Sequence, residues 1–144
     1  MRFVLDTNVL VAGLRSPIGA SAALLKLVLA GKIQPIASVP LFLEYEAVLL
    51  RPKHLLAAQL SQADVTNFLD VFAGFAAPTE IFYLWRPQLK DADDDMVLEA
   101  AVNGQAAIIV TFNTADFLPA ASQFNLKLML PSLFLKELQH GYSK

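Results

Sequence analysis

Residues 107–111, with the sequence Ala-Ile-Ile-Val-Thr, constrain the fold of this chain more than any other segment. A continuous β-branched run without polar alternation is typical of a strand that is buried on both faces, as in a parallel sheet. Weaker strand patterns occupy residues 2–5, 33–38, 81–84 and 126–130. Buried strands of this kind need helices on both faces of their sheet.

Helical patterns alternate with these strands along the chain. Apolar spacing and capping residues predict helices at 20–29, 40–49, 61–72, 96–103 and 132–139, and Leu10 and Leu14 indicate a further helical stretch that residues 16–19 separate from the first of these. Pro52 is expected to end the second of these helices, and Asp116 is expected to lie in a loop. Because the sequence contains no repeat or linker, the alternation predicts one α/β domain over residues 1–144, built on a parallel sheet.

The composition limits the function classes. The chain has 144 residues, of which 56% are hydrophobic and 17% charged, and it has no cysteine. Disulfides and thiolate zinc sites are therefore excluded. No apolar run approaches the ~18 residues of a membrane span or forms a signal peptide, so we expect a soluble, cytoplasmic protein without membrane contact. The formal net charge of −2 means that attraction to a polyanion would depend on bound cations.

The two histidines and the glycines give no sign of a site. His54 and His140 lie far apart and fit no metal-binding spacing, so we expect surface or helix-end positions for them. Gly13 and Gly19 lack the spacing of a phosphate-binding loop. Nucleotide-driven and dehydrogenase chemistry are therefore not expected.

Acidic residues stand near the predicted strand ends. Asp6 follows the first strand, Glu44 lies one turn into the helix after the second, and Asp116 follows the 107–111 strand. Asp95 begins the helix that leads into that strand. Functional sites of open parallel sheets lie outside the carboxyl ends of the strands. Converging carboxylates repel one another, and a hard cation such as Mg²⁺ relieves that repulsion.

Each acid also has a purely structural interpretation. Asp6 is a suitable helix cap, Glu44 a solvated helix residue and Asp116 a turn residue. The acidic run at 91–95 suits a helix N-terminus, where carboxylates oppose the helix dipole. Composition alone does not decide between these interpretations and a metal site.

Four segments in order resemble the motifs of PIN-domain ribonucleases, and the resemblance extends from Arg2 to about Leu138. The second and third segments resemble those of a bacterial subgroup of toxin components. The segments are Leu5-Asp6-Thr7-Asn8-Val9-Leu10; residues 38–49 with Glu44-Tyr45, then Arg51-Pro52-Lys53; residues 91–95 with Leu98 and Ala100-Ala101; and residues 109–117, from Ile109-Val110-Thr111 to Asp116-Phe117.

The resemblance implies roles for individual residues. Asp6, Glu44 and Asp95 match the metal-binding acids of the family, and Asp116 is assigned to the fourth acid position. At the fourth position the chain departs from the family pattern, because many relatives have an aspartate where this chain has Asn113. Supporting roles are implied for Thr7, Asn8, Asp93, Asp94, Thr111 and Asn113, and phosphate contacts for Arg51 and Lys53.

The family also implies an architecture and an activity. A three-layer α/β/α sandwich with a central parallel sheet is expected. The implied reaction is hydrolysis of RNA phosphodiester bonds with Mg²⁺ or Mn²⁺. A homodimer and a small antitoxin protein are the implied partners.

Two other functions compete with the nuclease. One is a PIN-like binding module with weak or absent turnover, which Asn113 and the acidic charge favour. The other is a different α/β phosphate enzyme. A haloacid-dehalogenase-like phosphatase needs an acid where this chain has Asn8, and a receiver domain needs a lysine after a late strand, whereas Lys127 begins one.

Overall fold

Helices and short strands alternate along the part of the chain that the computed structural model describes, residues 2–82 and 92–142. The elements are β1 (Phe3–Leu5), α1 (Thr7–Arg15), α2 (Ala20–Leu29), β2 (Ile36–Ala37), α3 (Val39–Leu49), α4 (Pro52–Ala58), α5 (Gln62–Phe75), β3 (Ala77–Pro78), α6 (Ala92–Asn103), β4 (Ile108–Val110), α7 (Thr114–Phe124), β5 (Lys127–Met129) and α8 (Pro131–Tyr142).

The central sheet is parallel and has the strand order β1-β4-β5. Leu5 pairs with Val110, and Val110 pairs with Met129, so the carboxyl ends of the three strands lie at one edge. All residues of β1 and β4 are buried, as the continuous apolar run at 107–111 predicts. Strands β2 and β3 form a second parallel pair. The prediction of an α/β sandwich built on a parallel sheet is confirmed.

Aromatic side chains join the sheet to the helices. The Phe3 ring in β1 lies 4.8 Å from the Phe134 ring in α8, measured between ring centroids. Tyr45 in α3 meets Phe72 in α5 edge to face, with centroids 5.8 Å apart. Because all four side chains are fully buried, these contacts fix α3, α5 and α8 around one core.

One helix was missed, and one prediction was wrong. Pro52 was expected to end a helix, and α3 does end before it, at Leu49, but the helix α4, which begins at Pro52 directly after Arg51 in an extended conformation, was not predicted. Proline suits that position because a first-turn residue needs no backbone N–H donor. Asp116 was expected in a loop, but it lies in the first turn of α7. Proline is unfavourable inside a helix, so the internal Pro119 weakens the helical pattern of α7 in the sequence.

The strand partner of β2 was also misplaced. The prediction at 81–84 is not supported at 81 and 82, which are not strand, and its remainder lies outside the described residues. The observed partner is β3, which contains Pro78. Ala77 and Thr79 donate their backbone N–H groups to Pro35 and Ala37, and the residue between them needs no donor. A parallel strand uses alternate N–H groups toward one neighbour, so proline is tolerated there.

Helices α1 and α2 meet at a sharp bend of 100°. Within the described residues, no single helix has both the length and the apolar composition of a membrane span. The bend brings Gly13 of α1 against Leu25 and Ser21 of α2. A methyl group at Gly13 would overlap the Leu25 side chain and lie 3.2 Å from the Ser21 carbonyl oxygen. Glycine therefore permits the close approach of these helices.

We expect Gly13→Ala to lower the free energy of unfolding by about 1–3 kcal/mol, because overpacking forces the two helices apart. Gly74→Ala is the matched control, since nothing lies within 4 Å of the added methyl group there. That control lies inside a helix and should raise stability by about 0.5–1 kcal/mol. Urea unfolding measures both variants. Equal effects of the two changes would contradict the close packing at Gly13.

Candidate active site

The ends of β1 and β4 are joined by a buried side-chain hydrogen bond. Asp6 follows β1, and its backbone N–H donates to the carbonyl of Val110 over 2.9 Å. Thr111 follows β4, and its hydroxyl donates to Oδ2 of Asp6 over 2.6 Å. Asp6 is 4% exposed and Thr111 is fully buried. A short hydrogen bond between buried groups fixes the direction of the carboxylate.

The Asp6 side chain does not cap α1. Asp6 occupies the N-cap position of α1, yet its carboxylate makes no capping hydrogen bond. By contrast, Ser38 and Ser61 cap α3 and α5 through their hydroxyls. Burial of a carboxylate costs free energy unless its oxygens have partners. Because helix capping does not explain the burial of the Asp6 carboxylate, Asp6 is a candidate functional residue.

A cleft of about 230 Å³ opens beside Asp6. It is formed by the start of α1, by α3, α4 and α6, and by the turn after β4. Its described lining residues are Asp6, Thr7, Asn8, Val11, Glu44, Val48, His54, Asp94 and Asn113. The cleft therefore brings together three acids that are far apart in sequence, at the edge expected for a parallel sheet.

The predicted acids differ in their relation to this cleft. Asp6 and Glu44 line it, and Glu44 is half-buried. In α6, Asp94 lines the cleft, whereas Asp95, 2% exposed, is not among the described lining residues. Both side chains are nevertheless buried at the start of one helix. The side chain of Asp93 lies outside the described residues.

Two residues, Asn113 and Asp116, are candidates for the fourth acid position of the family motif. Asn113 lines the cleft, and its backbone N–H donates to the Thr111 hydroxyl over 2.9 Å. Asp116 is exposed in the first turn of α7 and is not among the described residues of the cleft lining. Thr111 thus links Asn113 to Asp6, while the part played by Asp116 stays a prediction.

His54 is a cleft residue that its sequence context did not reveal. It is the third residue of α4, lines the cleft and carries a buried Nδ1 atom without a hydrogen-bond partner among the described residues. Burial lowers its pKa, and the positive charges of Arg15, Lys53 and Arg51 lower that pKa further. Only the position directly after Arg51-Pro52-Lys53 could have drawn attention to it. Arg51 and Lys53 themselves are exposed at the start of α4.

Tyr45 supports the cleft from behind. Its buried hydroxyl donates to the carbonyl of Leu5, the residue before Asp6. Burial raises the pKa of Tyr45 well above its usual value, and the charge of Asp6 raises that pKa further. Tyr45 therefore stays a neutral hydrogen-bond donor at physiological pH, and it ties α3 to the end of β1.

Tyr45→Phe should lower the free energy of unfolding at neutral pH by about 1 kcal/mol, because a buried hydrogen bond is lost. The folded pKa lies above the unfolded value of about 10, so the tyrosine stabilises the fold below that pH. This stabilisation disappears as pH rises past 10, because the unfolded chain ionises first. Urea unfolding at neutral and alkaline pH measures the difference between the two proteins. A difference that grows with pH would contradict the assignment.

The oxygens in the cleft suit a hard divalent cation. Asp6, Glu44 and Asp94 supply carboxylates, and Oδ1 of Asn8 is buried without a hydrogen-bond partner in the described chain. Mg²⁺ and Mn²⁺ prefer such oxygen donors. Within the described residues, no three acidic, histidine or cysteine side chains are close enough to hold a metal ion together. The donor types therefore fit a cation, although the three described acids of the cleft are not close enough to share one ion.

Comparison with known proteins agrees with this geometry. A family model described as PIN domain matches residues 2–115, and PIN domains are in general nucleases that use divalent metal ions. No curated protein gives a significant match. No solved structure gives one either. Residues 2–115 make up most of the chain and include every described residue of the cleft lining. The chain therefore belongs to the PIN-domain family.

Proposed function

We propose that this protein is a ribonuclease that hydrolyses RNA phosphodiester bonds with Mg²⁺ or Mn²⁺. The observation that carries the proposal is the buried carboxylate of Asp6, which Thr111 orients and which performs no capping role. Two further acids, Glu44 and Asp94, share its cleft. Family membership supplies the reaction class, and the oxygen donors favour a hard cation.

Asp6, Glu44 and an acid at the start of α6 would hold the cation, with Asn113 or Asp116 at the fourth position. Asp94 has the better access to the cleft, whereas Asp95 has the better match to the family motif. A bound cation would activate water and offset charge on the phosphate. Thr111 keeps Asp6 in one direction, and Tyr45 holds the preceding backbone.

The biological setting is proposed from the resemblance to toxin components. In this proposal the ribonuclease is the toxin of a two-protein pair, acts in the cytoplasm and is bound by a small antitoxin protein. A homodimer is proposed on the same grounds. Exposed apolar side chains on α7 and α8, such as Leu118 and Leu133, are compatible with a protein partner.

A second candidate is a PIN-like binding module without efficient turnover. The separation of the acids favours it, because no three of the described acids stand together as a ligand set. Asn113 favours it as well, since an amide at this position lowers the negative charge of the cleft. This module would bind RNA or protein through the same face.

Cleavage of a mixed pool of single-stranded and structured RNA tests the proposal. We expect fragments with Mg²⁺ or Mn²⁺, none with EDTA, and recovery when Mn²⁺ is added back in excess. Circular dichroism in EDTA checks that the protein remains folded. Absence of cleavage by folded protein in both metals, together with retained RNA binding, would favour the binding module.

A further inference from the structure

A group of positive side chains lies beside the acidic cleft. Arg15 ends α1, while Arg51 and Lys53 begin α4, and all three are exposed. His54 connects them to the cleft, because it lines both the cleft and a small adjoining hollow that Arg15 also lines. Packing of α1 against α4 holds the group together. The four residues, Arg15, Arg51, Lys53 and His54, are called the basic rim below.

The charges of the basic rim are not neutralised by acids of the described chain. None of its cations has a carboxylate within ion-pair distance among residues 2–82 and 92–142. Burial lowers the pKa of His54, and the nearby charges of Arg15, Lys53 and Arg51 lower that pKa further. This local positive charge stands out on a chain whose formal net charge is −2. An exposed group of one sign beside a cleft attracts ligands of the opposite sign.

We infer that the basic rim binds the RNA phosphates next to the one held in the acidic cleft, so that a single strand runs from the cleft across His54 toward Arg15. The inference deepens the proposed function and depends on it for the identity of the ligand. It adds Arg15 and His54 to the contacts expected of Arg51 and Lys53.

The chemistry of each side chain suits a phosphate. Arg15 and Arg51 present planar groups that bind phosphate oxygens in pairs, and Lys53 adds a point charge. His54 carries at least one N–H donor in every protonation state. Its Nδ1 is buried and has no hydrogen-bond partner in the described chain, so no described side chain or backbone group competes for that nitrogen. The acids of the cleft repel a polyanion, so the neighbouring cations would supply the attraction that brings the strand to the site.

Binding of a short labelled oligouridylate, followed by fluorescence anisotropy at several salt concentrations, tests the inference. Calcium replaces the active metals so that binding is measured without relying on cleavage. Each phosphate contact on a single strand contributes a slope of about 0.7 in log affinity against log salt. Arg15→Gln should therefore reduce the slope by about 0.7, which corresponds to about fivefold weaker binding near 0.1 M salt. Arg15→Lys should restore most of the slope, because it restores the charge.

Two further variants complete the experiment. His54→Phe keeps a ring of similar shape without donors and should weaken binding, whereas Lys136→Gln on α8 removes an exposed cation outside the rim and should not. Wild-type affinity in Arg15→Gln, or an equal loss in Lys136→Gln, would overturn the inference. Cleavage of the RNA pool is scored in parallel. Binding that depends on Arg15 without cleavage would defeat the nuclease proposal alone, and cleavage that is indifferent to Arg15 would defeat the basic rim alone.

Discussion

Asp6→Asn should lower the rate of the proposed metal-dependent RNA hydrolysis by at least about 100-fold, since even the groups that orient metal ligands contribute 10- to 100-fold in such sites. The substitution preserves the shape of the side chain and removes its charge. Asp6 is nearly fully buried and accepts the Thr111 hydroxyl hydrogen bond, so its carboxylate is held in one direction between the ends of β1 and β4. Initial rates on the RNA pool with Mn²⁺ measure the effect.

Three comparisons separate a role in hydrolysis from a role in folding. Thr111→Val keeps the acid but removes its 2.6 Å hydrogen bond, and it should lower the rate by about 10- to 100-fold. Asp70→Asn makes the same charge change at an exposed position on α5 and should leave the rate unchanged. The Tm of Asp6→Asn should equal or exceed that of the wild type, because active-site charges are commonly held at a cost in stability. A lower Tm with full activity would assign Asp6 to the fold alone.

The sheet and the edge that carries the candidate site follow from local sequence patterns. The uninterrupted run at 107–111 predicts β4, and the short run before Asp6 predicts β1. Parallel pairing then places residues 6 and 111 at the same edge. The hydrogen bond between them depends on register, because a shift of one residue would turn one side chain to the other face. Periodicity predicts strands but does not determine their register.

The choice among neighbouring acids depends on helix rotation, which the sequence does not determine. Asp94 and Asp95 are adjacent, so their side chains point about 100° apart around α6. The structure brings Asp94 to the cleft, whereas motif spacing favours Asp95. His54 was overlooked for a related reason. Its position depends on α4, which was not predicted, because Pro52 was interpreted as the end of the preceding helix and not also as the start of another.

Phe72→Ala should lower the free energy of unfolding by about 3–5 kcal/mol, the loss that truncation of a buried phenylalanine typically causes. Phe72 is fully buried in α5, where its ring centroid lies 5.8 Å from those of Tyr45 and Phe68. Domains of this size have a total stability of about 5–15 kcal/mol, so the variant should be close to unfolding. Urea unfolding measures the loss, and the m-value should remain unchanged if only the folded state is affected.

The same substitution links the core to the cleft. Phe72 packs against Tyr45, and the Tyr45 hydroxyl donates to the carbonyl of Leu5, the residue before Asp6. Glu44 precedes Tyr45 on α3. The cavity that Phe72→Ala creates is therefore connected through Tyr45 to Asp6 and Glu44. We therefore expect hydrolysis by Phe72→Ala to fall even at temperatures where the variant remains folded. Val71→Ala, on the exposed side of α5, should change stability by less than about 0.5 kcal/mol and leave hydrolysis intact. Full activity in a destabilised Phe72→Ala would mean that the geometry of the cleft is set by β1 and β4 alone, without support from α5.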